Sequence, residues 1–134
     1  MKHHFVLDTS VYLTYASHNK IYRLENAIKL FGLVVFSSKF LLDELYKNIP
    51  KVLVSDELTP QEILNKIIRF TTLVPIIPRF SSSPDPKDNF LFDLALQTYS
   101  EVIVTKEKVL LNFIESPIAI HDIKWFKEKF PVEL

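Results

Sequence analysis

The chain has 134 residues, 48% of them hydrophobic and 24% charged, with 16 basic residues balancing 16 acidic ones. That is enough apolar material for a single domain spanning residues 1–134 with its own core, and too much for a disordered chain. The neutral total exerts no overall pull toward nucleic acid, the lack of cysteine removes disulfides and thiolate metal sites, and a lone glycine (Gly32) excludes the multi-glycine phosphate loops and the nucleophile elbow.

The opening "MKHHFVLDTS" has no signal-type apolar region, and no apolar run reaches membrane-spanning length, so a cytoplasmic protein with no membrane contact is expected. His3 and His4 are expected to be exposed. "FVLD" predicts a short buried strand, and "SVYLTYA" a helix after it. "IYRLENAIKLFG" predicts a second helix, with Leu24, Ala27, Ile28 and Phe31 on one face and Gly32 as its stop. "LVVFSS" is the next buried strand. Ser37 or Ser38 then caps the helix "KFLLDELYKNIPKVL", which Pro50 is expected to bend or end. In "TPQEILNKIIRF", Thr59, Pro60 and Glu62 spell a capping box with proline at the first helical position. The two prolines of "TTLVPIIP" allow only a short edge strand. "RFSSSPDP" is a loop, "KDNFLFDLALQTYS" a helix, "EVIVTK" a third buried strand and "EKVLLNFI" a short helix. "PIAIHDIKWFKEKF" closes with a strand and a helix. In this last stretch the pair His121-Asp122 has no partner set for a metal, and Asp122 is placed to cap.

Short apolar strands alternating with helices predict a mainly parallel sheet covered on both faces. Such sheets bind ligands beyond the carboxyl ends of their strands. Asp8 ends the first strand, Glu44 lies in the helix after the second, and Glu107 follows "EVIVT". Asp88 falls at the start of a helix whose end can reach the same edge. On "DNFLFDLALQ", Asp88 lies beneath Leu91, Phe92 and Ala95 on the buried side, whereas Asp93 shares the solvent side with Asn89 and Gln97. Each acid has a plainer role open to it: Asp8 as a helix cap, Asp88 at the positive end of a helix with Asp85 as cap and Pro86 first, Glu44 as a surface charge, and Glu107 as a cap or a partner of Lys106 or Lys108. It is their joint placement that suggests a site.

"FVLDTSVYLTYA", "VVFSSKFLLDELYKNI" and "SPDPKDNFLFDLALQTYSEVIVTKEKVLL" together resemble the PIN domain, the metal-dependent nuclease family that includes VapC-like toxins of prokaryotic toxin–antitoxin pairs. The resemblance runs nearly end to end. It implies a three-layer α/β/α fold and an endoribonuclease whose acids fall at Asp8, Glu44, Asp88 and Glu107, acting as metal ligands and in catalysis. It also implies an RNA substrate, a homodimer and a small cognate antitoxin. This chain departs from the pattern at Ser10, where the family usually has Asn, and at Lys106-Glu107, where it usually has Gly-Asp.

Oxygen ligands without His or Cys suit Mg²⁺ or Mn²⁺. Asp8 and Asp88 are the expected principal ligands, with Glu44 a ligand or water-orienting base and Glu107 an outer or second-metal ligand. Thr9, Ser10 and Thr105 are candidates to hydrogen-bond the carboxylates, and Lys87 and Lys106, with Lys39, Lys47 and Lys108, to hold phosphates. The rival expectation is a PIN-like module that binds RNA or a protein partner and cuts weakly or not at all. A haloacid-dehalogenase-type phosphotransferase is disfavoured because Ser10 stands where its second acid belongs. A receiver domain lacks its acidic pair.

Overall fold

The apolar runs around Val6, Val35 and Ile103 become adjacent strands, because segments this short and this apolar need neighbours on both sides and cover on both faces. The structure, a computed structural model, describes residues 2–55 and 57–132. Its strands are β1 (His3–Leu7), β2 (Leu33–Ser37), β3 (Thr72–Leu73), β4 (Val102–Val104) and β5 (Ala119–His121). Its helices are α1 (Thr9–Ser17), α2 (Ile21–Phe31), α3 (Lys39–Val52), α4 (Pro60–Phe70), α5 (Asn89–Gln97), α6 (Lys108–Leu111) and α7 (Ile123–Lys129). The strands form one parallel sheet in the order β3-β2-β1-β4-β5. Phe5 of β1 pairs in register with Val35 on one side and Val102 on the other.

Alternation along the strands divides the core. Phe5, Leu7, Val35 and Val104 face a layer built from α1, α2, α3, α4 and α7, while Val6, Phe36 and Ile103 face α5 and Leu110 of α6. The result is the expected α/β/α sandwich. Tyr12, Leu24, Leu41, Leu45, Ile49 and Ile67 are fully buried in the first layer, and Leu91, Phe92, Leu94 and Ala95 in the second.

Local signals explain where most helices begin and end. Ser38 Oγ accepts from the Leu41 amide at 3.2 Å and starts α3. Thr59 and Glu62 form the reciprocal box that starts α4, at 3.1 and 3.2 Å. Gly32 ends α2 with a left-handed φ of 62°, and Asp122 caps α7 through the Trp125 amide at 2.9 Å. His121 stacks on the Trp125 ring with centroids 4.1 Å apart, a packing role. Pro50 does not terminate α3, which continues to Val52. Pro75 and Pro78, having no N–H to donate, follow a β3 of only two residues at the sheet edge.

Three expectations need correction. His3 and His4 are half-buried: His3 Nδ1 lies 3.0 Å from Glu101 Oε2, and His4 Nδ1 lies 2.8 Å from the Thr98 carbonyl oxygen, so both pin the start of β1 to the α5–β4 corner. Asp88 is not in the first turn of the α-helix but closes a 3-10 turn over Pro86–Asp88, which Asp85 caps through the Lys87 amide at 3.1 Å. Asp93 is buried rather than solvent-facing, accepting from the amides of Arg79 at 3.0 Å and Phe80 at 2.8 Å. The loop before α5 crosses that side of the helix, and its backbone donors need an acceptor.

Candidate metal centre

From β1 the chain steps outward through β2 and β3, then returns to place β4 and β5 on the opposite side. The reversal lies between β1 and β4, and a parallel sheet opens a crevice there, beyond its carboxyl ends. Asp8 is the first residue past β1, and its amide donates to the Val104 carbonyl at 2.8 Å. Thr105, Lys106 and Glu107 are the first residues past β4.

Asp8 is only 3% exposed, and its carboxylate is surrounded by donors. Oδ1 accepts from the Thr9 amide at 2.8 Å; Oδ2 accepts from the Ser10 hydroxyl at 2.9 Å and the Thr105 hydroxyl at 2.8 Å. Ser10 Oγ in turn accepts from the Lys106 amide at 3.0 Å, and Thr105 Oγ1 from the Glu107 amide at 3.0 Å. The two hydroxyls therefore join the ends of two strands through one carboxylate. The capping and site roles weighed for Asp8 coexist in the same side chain.

The 3-10 turn before α5 brings Asp88 to this carboxylate, and the turn into α6 brings Glu107. One carboxylate oxygen from each of Asp8, Asp88 and Glu107 lies within 4.8 Å of the others. Glu44 is not in this set. It stands beside it, its Oε2 accepting from the Thr9 hydroxyl at 2.9 Å. Among the described residues none of the four acids forms an ion pair with a basic side chain. The Lys106 ammonium turns instead to Thr14 Oγ1 at 3.0 Å.

Crowded like charges favour keeping a proton. Burial raises the Asp88 carboxyl most, followed by the charges of Glu107, Asp8 and Asp85 and a hydrogen bond to Glu107, so that it is pushed up to about 7. Burial also pushes Glu107 up, as do the charges of Asp8, Asp85 and Glu44, against the opposing effect of its hydrogen bond with Asp88. Two close carboxylates that each resist ionisation are the arrangement a divalent cation relieves. The donors are all oxygen and partly open to solvent, which fits Mg²⁺ or Mn²⁺ retaining some of its waters.

Of the other anticipated residues, Thr9, Ser10 and Thr105 bind carboxylates directly. Lys87 is exposed and lines a groove with Glu44, Lys47, Phe40 and Phe90, alongside the acids. Lys39 and Lys108 are exposed surface residues. Sequence reasoning missed Asp85 as a contributor to the field, having seen it only as a cap, and missed Thr14 as the anchor of Lys106. The i, i+4 spacing of Ser10 and Thr14 on α1 was the available signal for the second.

A parallel α/β sandwich with carboxylates gathered at the switch point of its sheet defines a class of fold and site. The family model described as "PIN domain" matches residues 4–108, and the chain belongs to the PIN-domain family. Two solved structures share the fold. PAE2754 from Pyrobaculum aerophilum is 16% identical, with a TM-score of 0.64 over 97% of this chain and 98% of that one. VapBC2 from Rickettsia felis, crystallised bound to a DNA fragment from its promoter, is 15% identical, with a TM-score of 0.59 over 89% of this chain and 98% of that one. No curated protein sequence matches significantly.

Proposed function

We propose that this protein is a metal-dependent endoribonuclease and the toxin of a toxin–antitoxin pair. The carrying observation is the convergence of Asp8, Asp88 and Glu107 at the switch point of a PIN-family sheet. Asp8, Asp88 and Glu107 would hold Mg²⁺ or Mn²⁺, with Glu44 in reserve beside them. Such an ion supplies Lewis acidity, making a water more acidic and offsetting charge on a phosphodiester.

The chain's own residues do the rest. Asp8 is fixed by three donors, so its oxygens are aimed before any ligand arrives and no reorganisation is needed. Asp88 and Glu107, each raised by burial and by neighbouring carboxylates, would give up their protons more readily with a cation beside them. Glu44, oriented by the Thr9 hydroxyl, is the free carboxylate able to accept a proton from an attacking water. Lys47 and Lys87 in the adjoining groove supply phosphate contacts without base readout. The likeness to Rickettsia felis VapBC2 supports an antitoxin-type protein partner and an antitoxin-bound resting state. A homodimer acting in the cytoplasm completes the proposal.

The test is a thermal-shift titration beside a cleavage assay on single-stranded RNA. Mn²⁺ should raise the melting temperature of the wild type by several degrees and leave Asp8→Asn nearly unchanged. RNA cleavage should fall at least a hundredfold in Asp8→Asn and Asp88→Asn. Equal melting shifts in wild type and Asp8→Asn would remove the metal site. Metal binding without cleavage would favour the RNA- or partner-binding module.

A further inference from the structure

A second pocket lies on the same side of α1, one helical turn beyond the acids, and its chemistry is the opposite. It has a volume of about 380 Å³ and is lined by Thr14, His18, Lys20, Arg23 and Lys127 against the apolar wall of Tyr15 and Phe130. Its lining includes no carboxylate among the described residues, although the chain as a whole is neutral. Neither Arg23, Lys20 nor Lys127 makes an ion pair among those residues. Arg23 is half-buried, and its Nε has no hydrogen-bond partner. The Lys127 ammonium rests over the Tyr15 ring, 5.4 Å from its centroid. Cations assembled around a cavity without a counter-charge repel one another, and a bound anion offsets that cost.

A chain of hydrogen bonds links the rim of the pocket to the acids. Thr14 Oγ1 donates to the Ser10 carbonyl at 2.9 Å and accepts from Lys106 Nζ at 3.0 Å, while Ser10 Oγ donates to Asp8. Ser10, Thr14 and His18 follow one another at four-residue spacing, so they mark a track roughly 12 Å long along α1 to the residue that caps it. We propose that this pocket is a phosphate-binding subsite that grips the backbone of the RNA strand a few nucleotides from the bond lying at Asp8, Asp88 and Glu107. Arg23 offers the planar fork suited to phosphate oxygens, and Lys127 and Lys20 add point charges. The grip carries no base information; it sets the strand's position and polarity across the acids. The identity of the strand rests on the nuclease reading above, whereas the anion chemistry of the pocket does not.

Two measurements on the full chain in EDTA, where metal-dependent cleavage is silent, test this. The first is the affinity for a short fluorescein-labelled single-stranded RNA as a function of salt. Arg23→Gln and Lys127→Gln should each weaken binding by about tenfold. Each should also flatten the salt slope by about 0.7. Lys127 is exposed, so Lys127→Gln keeps the test alive if Arg23→Gln fails to fold. The second is a ¹H–¹⁵N titration with inorganic phosphate, expected to move the amides of Thr14, His18 and Arg23 in wild type and not in the double variant.

Unchanged RNA affinity and unmoved amides in wild type overturn the subsite. So does tighter binding of a glutamate-rich peptide than of RNA through the same residues, which makes the pocket a protein-docking site. If wild type with Mn²⁺ cuts no RNA while the phosphate shifts persist, the nuclease reading falls and the anion site stands. Cleavage without phosphate shifts removes the subsite alone.

Discussion

At the scale of single residues, the protonation of Asp88 is the most informative handle on the centre. Its folded-state value of about 7 lies above the ordinary 3.8, so between those values the native state holds more proton than the unfolded chain. Stability from this group is therefore full in acid and is lost as pH rises toward and through 7. In EDTA, the melting temperature of wild type minus that of Asp88→Asn should fall between pH 5 and pH 8. Saturating Mn²⁺ should reverse the trend, because the cation takes the place of the proton. Apparent Mn²⁺ affinity should tighten with pH up to about 7 and level off above it. A difference curve that stays flat from pH 5 to 8 would contradict the crowding of Asp88 by Glu107, Asp8 and Asp85. Tyr12 offers a second residue-scale test. Its hydroxyl is buried without a hydrogen-bond partner among the described residues, and burial holds the phenol far above its ordinary range. Tyr12→Phe should be neutral or stabilising, by about 1 kcal/mol, in a urea melt. Asp8 and Glu107 were legible in the sequence because they follow strand ends that open on one edge of a parallel sheet, and Asp88 because it starts a helix able to reach that edge. Glu44 was legible as a neighbour, but its distance from the other three depends on where α3 pivots about Ser38. The burial of Asp93 was not legible, since helical phase records which side of α5 meets the sheet and not which loop crosses the other side.

At the scale of elements, boundaries were legible wherever a side chain itself makes the boundary. Ser38, Thr59 and Asp122 each satisfy a free helix amide, and Gly32 supplies the left-handed residue that ends α2. Boundaries set by distant partners were not. β3 is the short edge strand its prolines predict, but its extent of Thr72–Leu73 follows from Phe36 and Ser37 of β2 alone offering it a ladder. α6 is one turn long although "EKVLLNFI" is apolar enough for two. Two substitutions measure these local terms by chemical denaturation. Thr59→Ala should cost about 1 kcal/mol through loss of the reciprocal cap. Gly32→Ala should cost a similar amount, about 1 kcal/mol, from backbone conformation alone. An added Cβ at Gly32 would meet nothing within 4 Å, so no steric penalty enters.

At the scale of the whole molecule, the sheet divides the protein into a thick layer of five helices and a thinner one of two. β1 runs through the middle with a partner on each side, and its Val6 and Leu7 are fully buried. Hydrogen exchange should be slowest in β1 and β4, and fastest in β3 and α6, which have few partners. Protection that instead peaked in α4 would mean that the sheet is not the cooperative centre. The three layers and the parallel strands followed from the alternation of apolar runs. The order of the strands did not, because no local signal says that β4 returns to β1.

That return governs when the acidic centre comes into being. The hydroxyl–carboxylate contact that ties Thr105 to Asp8 spans 97 positions of sequence. A nascent chain still short of Thr105, or a clipped N-terminal fragment, can hold Asp8, Glu44 and Asp88 but lacks Glu107 and the strand that brings it to them. The cluster of carboxylates therefore exists only once the fourth strand has docked beside the first.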